Sequence, residues 1–218
     1  MAGTAALWRD ACKQIIVPAL RDRGYKGTAP TWRRTGDHDD VAVVNLQTSD
    51  RRGRTLVRAN LSVAPSWWLD WRRVELGEGM PRTVTEPLGL IRGSLHSQSP
   101  APTDSWWEVS DGSSAAAVAQ HVLATLREYG LPRLERLLVP EGLIEQLETW
   151  DERGGPDGWS VAPLHRSTRL YARAMARAHQ QGLSAEVEDL LAKAWDEVPE
   201  STRWRGDVLG DHVRGLAR

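Results

Sequence analysis

The sequence predicts an α+β fold in which an antiparallel β meander packs against helices and an all-helical segment follows. Two observations support this prediction. From Thr31 to Ala64 the apolar residues recur at every second position, as they do in half-buried strands. Before that stretch, and again after Pro140, they recur at the spacing of amphipathic helices. A chain of 218 residues is long enough to bury a core of its own.

The first predicted element is a helix over residues 4–23, because its apolar side chains share one stripe at helical spacing. They are Leu7, Trp8, Ala11, Ile15, Ile16 and Leu20. Pro18 is expected to kink this helix or to end its first segment, since proline has no N–H to donate. Gly24 supplies the C-terminal stop.

Strands follow this helix, and turn residues separate them. The meander strands are predicted at 32–35, 41–48 and 56–63, with turns at 36–40 and 49–54. Residues 88–96 and 105–109 can form further strands. A helix over 114–129 is expected to stop at Gly130, and a shorter helix is expected after Pro132.

The segment after Pro140 is predicted to be wholly helical. Its helices are expected at 141–152, 164–181, 184–197 and 203–217. A Gly154-Gly155-Pro156 break follows the first of them, and acidic residues outnumber basic ones only in this segment. We therefore predict two domains, an α+β domain at 1–153 and a helical extension at 154–218.

Composition excludes several classes of protein. The single Cys12 cannot form an internal disulfide, which excludes a disulfide-stabilised secreted scaffold. The formal charge is −1, whereas nucleic-acid-binding domains are usually basic. No stretch reaches the roughly 18 apolar residues of a membrane span. Charged residues at Arg9, Asp10 and Lys13 precede any signal-peptide core. We therefore expect a cytoplasmic protein with neither nucleic-acid nor membrane partners.

Several short motifs occur in a fixed order along the first 140 or so residues. They are Gly24-Tyr25, Trp32-Arg33-Arg34, Asn45-Leu46-Gln47-Thr48-Ser49, Asn60, Arg92, Trp106-Trp107 and Gly130-Leu131-Pro132. In this order they resemble a bacterial family, the domain of unknown function 4304, although Tyr25 stands where that family usually has Phe. The resemblance implies an α+β fold and no established activity. Residues 154–218 lie outside it.

Alternation along the two longest strands predicts a polar cluster on one sheet face. Its members are Asn45, Gln47, Arg58 and Asn60, and Arg33 can join them if the first turn has the right length. The predicted register places Asn45 opposite Arg58 and Val43 opposite Asn60. Amides and a guanidinium suit a planar ligand, a carboxylate or a peptide. An ordinary solvated sheet face would carry similar residues.

Tryptophan is the dominant aromatic residue, with eleven Trp, three Tyr and no Phe. In the segment 67–71, Trp67 and Trp71 can stack on a helix as an aromatic lid or a partner-binding patch. The alternative is that they anchor the helix to the sheet. Trp106 and Trp107 point to opposite faces of a strand, and Trp107 is the predicted ligand-binding residue of the pair.

Evidence for catalysis in the sequence is weak. Only His96, with Arg92 four residues before it, is a candidate for proton transfer. The run from Asp37 to Asp40 has metal-ligand types, but adjacent residues at a hairpin tip cannot all converge on one ion, so a solvated turn is preferred. No zinc, nucleotide or nucleophile motif is present, and we predict neither a metal nor a cofactor.

Two functions remain open. The first is a binding or interaction protein, of the inhibitor or immunity type, whose partner is another protein or a small molecule. The alternative is a cofactor-independent enzyme that uses Arg92, His96, Asn45 and Gln47 in a Trp-lined pocket. A concave Trp-walled cavity that encloses titratable groups would favour the enzyme, whereas a flat exposed aromatic patch would favour the interaction protein. The oligomeric state stays open.

Overall fold

The computed structural model describes residues 3–100, 105–153, 159–161 and 165–216. Within these ranges a seven-stranded antiparallel sheet is combined with helices, which confirms the α+β fold. The strands are β1 (Lys26–Thr28), β2 (Thr31–Thr35), β3 (Val41–Arg51), β4 (Arg54–Ala64), β5 (Ile91–Leu95), β6 (Trp107–Val109) and β7 (Ser160–Val161). Their order is β1-β2-β3-β4-β5-β7, and β6 pairs with the other end of β4.

The helices occupy both ends of the chain and cover the sheet. They are α1 (Thr4–Ala11), α2 (Val17–Asp22), α3 (Ser66–Leu76), α4 (Gly112–Thr125), α5 (Leu131–Leu137), α6 (Pro140–Arg153), α7 (Arg166–Gln181), α8 (Ala185–Asp196) and α9 (Arg203–Leu216). The predicted C-terminal helices are confirmed. None of the described helices has both the length and the apolar character that crossing a bilayer requires.

The β3–β4 hairpin is longer and its turn tighter than predicted. Arg52 and Gly53 form a two-residue turn in which both have positive φ, 49° and 80°, as a type I′ turn requires. Because of this turn, the register between β3 and β4 differs by two residues from the predicted register, so the predicted register was wrong. Asn45 lies opposite Asn60 rather than Arg58. A shift of two positions leaves every side chain on its predicted face.

Two prolines lie within helices that continue past them, and a five-residue π-turn precedes each of these prolines. Pro18 is the second residue of α2, and the Val17 N–H bonds to the Cys12 carbonyl across a five-residue π-turn. The same arrangement precedes Pro132 in α5, where Leu131 bonds to the Leu126 carbonyl. The predicted stop at Gly130 was therefore wrong, because Gly130 stays right-handed at φ −80° inside that second π-turn.

The main core lies between one sheet face and the helices. Trp32, Leu61 and Leu126 are fully buried in it, and the α4–α5 junction rests on the Leu61 and Leu95 side chains at Gly130. A second, smaller cluster covers one end of the opposite face. It consists of Ala64, Leu69 and Leu88 with Val41, Leu76, Met80 and Val84 around them. The remaining part of that face carries the predicted polar cluster.

The C-terminal segment also contributes to the sheet, contrary to the prediction that it is wholly helical. β7 pairs with Ile91 and Arg92 of β5. Just before it, Trp159 packs on Gly93, where a Cβ would lie 2.3 Å from the indole. The predicted Gly154-Gly155-Pro156 break lies outside the described residues. The boundary between 1–153 and 154–218 stays a prediction.

Candidate functional site

The predicted polar cluster forms a hydrogen-bonded ladder across β3, β4 and β5. Asn60 donates from Nδ2 to the Gln47 Oε1 atom at 2.9 Å, and the Ser94 hydroxyl donates to Asn60 Oδ1 at 2.8 Å. Asn45 donates to the Thr31 hydroxyl at 2.8 Å. The structure therefore brings Asn45, Gln47 and Asn60 to one face, and each amide is hydrogen-bonded to a neighbouring side chain.

Arg58 completes this face together with an aromatic ring. Its guanidinium lies 5.3 Å from the ring centroid of Trp106, within the range of a cation–π contact. Trp107 is 2% exposed and belongs to the core, opposite Val57. The choice of Trp107 as the ligand-facing member of the pair was wrong, because alternation along a strand does not say which face is the core, and Trp107 lies on the core face with Val57. Trp106 is the half-buried ring beside the polar cluster.

Arg92 and His96, the two candidates for catalysis, interact with different partners. Arg92 forms a bidentate ion pair with Glu86, at 2.7 and 3.2 Å. His96 is 5% exposed, and its Nδ1 atom lies 2.9 Å from the Ser105 hydroxyl. Four residues of extended chain separate the two Cα atoms by about 13 Å. Arg33, on the same face, donates to the Val84 carbonyl instead of joining the amides.

The tryptophans of α3 are buried. Trp67 is 3% exposed and Trp71 5%, so the exposed aromatic patch predicted from their spacing was wrong, and both rings belong to the main core. Trp68, between them, donates its indole N–H to the Leu88 carbonyl at 3.0 Å. Burial does not remove them from all candidate sites, because Trp67 and Trp71 each line a separate cavity.

The larger of these cavities is a groove between α3, α7 and α9, which we call the arginine groove. Its volume of about 670 Å³ is that of a small-molecule site. Trp68, Trp71 and Tyr171 form its aromatic floor. Tyr171 is fixed by a hydrogen bond of 3.2 Å from its hydroxyl to the Gly206 carbonyl, and burial raises the pKa of that hydroxyl.

Charged side chains surround the floor of the arginine groove. Arg72 and Arg205 both form ion pairs with Glu75, and Arg166 pairs with Glu197 at 2.6 Å. Three arginines against two glutamates give a formal excess of one positive charge. Burial, and then the neighbouring charge of Arg205, lower the pKa of Arg72. Its guanidinium also lies 5.9 Å from the Trp68 ring centroid.

Sequence reasoning missed the arginine groove. Arg72 and Glu75 follow the Trp segment on α3, and their i, i+3 spacing is a local signal of a polar stripe beside the tryptophans that sequence reasoning did not use. Nothing local paired them with Arg205, which is 130 positions away. Arg166, Arg205 and Glu197 have no local sequence feature that distinguishes them from ordinary solvated helix residues.

The turn from Asp37 to Asp40 is only partly solvated. Asp37, His38 and Asp39 are exposed as expected, but Asp40 is 4% exposed and accepts the Ser66 N–H at 2.8 Å. The prediction of a wholly solvated turn was wrong at this residue. Cys12 is buried, which raises the pKa of its thiol to about 12. Among the described residues no group of three or more His, Cys, Asp or Glu is placed to hold a metal ion.

Comparison with known proteins identifies a family and nothing more specific. A model of the family described as a domain of unknown function, number 4304, matches residues 16–136, which is more than half of the chain. No curated protein and no solved structure gives a significant match. The matched region runs from the first π-turn to α5, so α7 and α9 lie beyond it. The chain therefore belongs to the family of the domain of unknown function 4304.

Proposed function

We propose that this protein is a binding protein, and that its ligand presents an anionic group and a flat apolar part to the arginine groove. The observation that carries this proposal is the combination of three arginines with an aromatic floor in one concave volume. The excess positive charge favours a carboxylate or a phosphate. A net charge of −1 for the whole chain argues against a nucleic acid as the ligand.

The ion pairs leave the arginines able to bind a ligand. A guanidinium has five N–H donors, and a bond to one glutamate oxygen uses only one or two of them. The Arg205 and Arg166 side chains are 50% and 62% exposed, so their remaining donors can reach a ligand. Glu75 and Glu197 meanwhile hold the guanidiniums in place, which lowers the entropic cost of binding.

The same chemistry can come from two sources. A small aromatic acid would fill the groove alone, whereas a partner protein would insert an acidic side chain followed by an apolar one. The second source corresponds to the interaction role of the inhibitor or immunity type. The enzyme alternative gains less support, because Arg92, His96, Asn45 and Gln47 do not line the arginine groove.

Tryptophan fluorescence tests the proposal without a label, since Trp68 and Trp71 form the floor. The probes are phenyl phosphate, its neutral analogue benzyl alcohol, and a capped peptide of alternating Glu and Leu. We expect a saturable change with phenyl phosphate or with the peptide, and the probe that saturates identifies the source. Benzyl alcohol should bind about tenfold more weakly.

Two arginines of α9 provide a matched pair of variants. Arg205→Ala removes a groove guanidinium and should weaken binding about tenfold. Arg203→Ala removes one that lies 5.8 Å from the Trp195 ring and outside the groove lining, so it should leave binding unchanged. Equal losses in both variants, or no saturation with either anionic probe, would show that the groove is not the binding site.

A further inference from the structure

A second cavity, of about 210 Å³, lies between the turn at 36–40 and helices α3, α6 and α7. Asp40 and Trp67 line it from one side, Leu143 and Ile144 from α6, and His179 from α7. It shares no lining residue with the arginine groove. At about 30 Å³ per water, it has room for a molecule of a few heavy atoms.

The carboxylate of Asp40 is the unusual feature of this cavity. Asp40 is 4% exposed, and its described partners are the backbone N–H and the hydroxyl of Ser66, both neutral donors. Within the described part of the chain no Lys or Arg forms an ion pair with it, although buried carboxylates are normally paired with a cation. Burial raises the pKa of this carboxyl, whereas the Ser66 hydrogen bonds and then the neighbouring charges of His179 and His38 oppose the shift.

The other walls determine which cation the cavity suits. Trp67, Leu143 and Ile144 are between 2% and 8% exposed and present apolar surface. His38 and His179 are exposed members of the lining, and a neutral imidazole accepts a hydrogen bond. A hydrated metal ion would leave the apolar walls without a partner. An alkylammonium ion matches both parts, because its head is cationic and its chain is apolar.

We propose that this cavity binds a small primary ammonium ion, with the charged head at Asp40 and the hydrocarbon part against Trp67, Leu143 and Ile144. Asp40 supplies the charge that discriminates against anions, and the Trp67 indole supplies apolar surface for the hydrocarbon part. His38 and His179 also line the cavity, and an unprotonated ring nitrogen of either can accept a hydrogen bond from the ammonium group. This site is independent of the arginine groove, so it takes a different class of ligand.

Calorimetric titration of the full chain with n-butylammonium tests the proposal, with 1-butanol as the neutral isostere. The titration is done at about pH 8, where ordinary imidazoles are neutral. We expect saturable binding of n-butylammonium and about tenfold weaker binding of 1-butanol. Asp40→Asn should reduce n-butylammonium affinity about tenfold while its amide oxygen still accepts the Ser66 N–H. The adjacent Asp39→Asn is the matched control, since Asp39 is exposed and Asn tolerates its φ of 60°.

A third variant provides an independent test in case Asp40→Asn does not fold. Ile144→Phe fills the cavity and leaves the carboxylate in place, so it should abolish saturable binding of n-butylammonium. Three results would overturn the proposal: no saturable binding in the native chain, equal affinity for 1-butanol, or undiminished binding in a folded Asp40→Asn or Ile144→Phe variant. Binding of phenyl phosphate or the acidic peptide should be the same in all these variants, so failure of one site is distinguishable from failure of the other.

Discussion

The polar sheet face and the arginine groove are built in opposite ways. On the sheet face, Gln47, Asn60 and Ser94 lie on neighbouring strands and bond mainly to one another. In the groove, Glu75 is bonded by arginines from α3 and α9, and the charges surround an open volume. The sheet face thus resembles a completed network, whereas the groove retains donors for a ligand.

The two regions also differ in their relation to the family. The matched residues 16–136 contain the whole polar face and α3, which forms one wall of the groove. The opposite wall comes from α7 and α9, outside the match. If the groove is the binding site, then ligand binding depends on helices that the family model does not include.

Removal of the C-terminal segment is the strongest test of this difference. A chain that ends after Arg153 loses Trp159, β7 and the cover over Trp71, which is now 5% exposed. We expect a folded fragment whose Tm is lower by about 10 °C or more and which binds a hydrophobic dye, since several kcal/mol of burial are lost. A chain that ends after Leu216 is the control, and circular dichroism follows the melting.

Two other outcomes of the truncation, aggregation or an unchanged Tm, would change the comparison between the sheet face and the groove. Aggregation of the fragment would show that sheet and C-terminal helices form one folding unit, and that the boundary predicted at 153–154 is wrong. An unchanged Tm would show that α7 and α9 contribute little to the burial of α3.

Gly93→Ala tests the contact between the sheet and the C-terminal segment at a single atom. The new Cβ would lie 2.3 Å from the Trp159 ring, so the indole must move off β5, and overpacking of this kind costs about 2 kcal/mol. Gly79→Ala is the control, because its Cβ would meet nothing within 4 Å and its φ is not positive. Urea unfolding measures both variants. Equal stability of the two would mean that Trp159 does not pack on the sheet.

The sequence correctly predicted the features that depend on the local spacing of apolar residues. Alternation placed Asn45 and Asn60 on the correct face, and helical spacing located the C-terminal helices. The register was wrong by two because alternation does not distinguish shifts of two positions, and only the positive φ of Arg52 and Gly53 settles the turn. Pro18 is a visible disturbance of the helical pattern, but the sequence does not show the π-turn that precedes it, which packs against α4.

The candidate sites were less predictable, because they depend on contacts between distant segments. Trp67 and Trp71 share a helical stripe in the sequence, and that stripe is equally consistent with a buried and an exposed face. Which alternative holds is decided by α7 and α9, more than 90 residues later. The burial of Asp40 is likewise decided by α6 and α7. Local patterns therefore predicted faces, and only the tertiary structure revealed cavities.

Asn60→Ala has the smallest expected effect and separates the two regions most directly. It removes two hydrogen bonds between half-exposed side chains, so the free energy of unfolding should fall by only about 1 kcal/mol. Asn45→Ala, which loses the bond to Thr31 alone, is the matched control. Affinity of the arginine groove for phenyl phosphate or the acidic peptide should not change in either variant. A loss of stability above about 3 kcal/mol would make Asn60 a structural residue rather than part of an open surface. A loss of groove affinity at unchanged stability would mean that the ladder and the groove are energetically coupled.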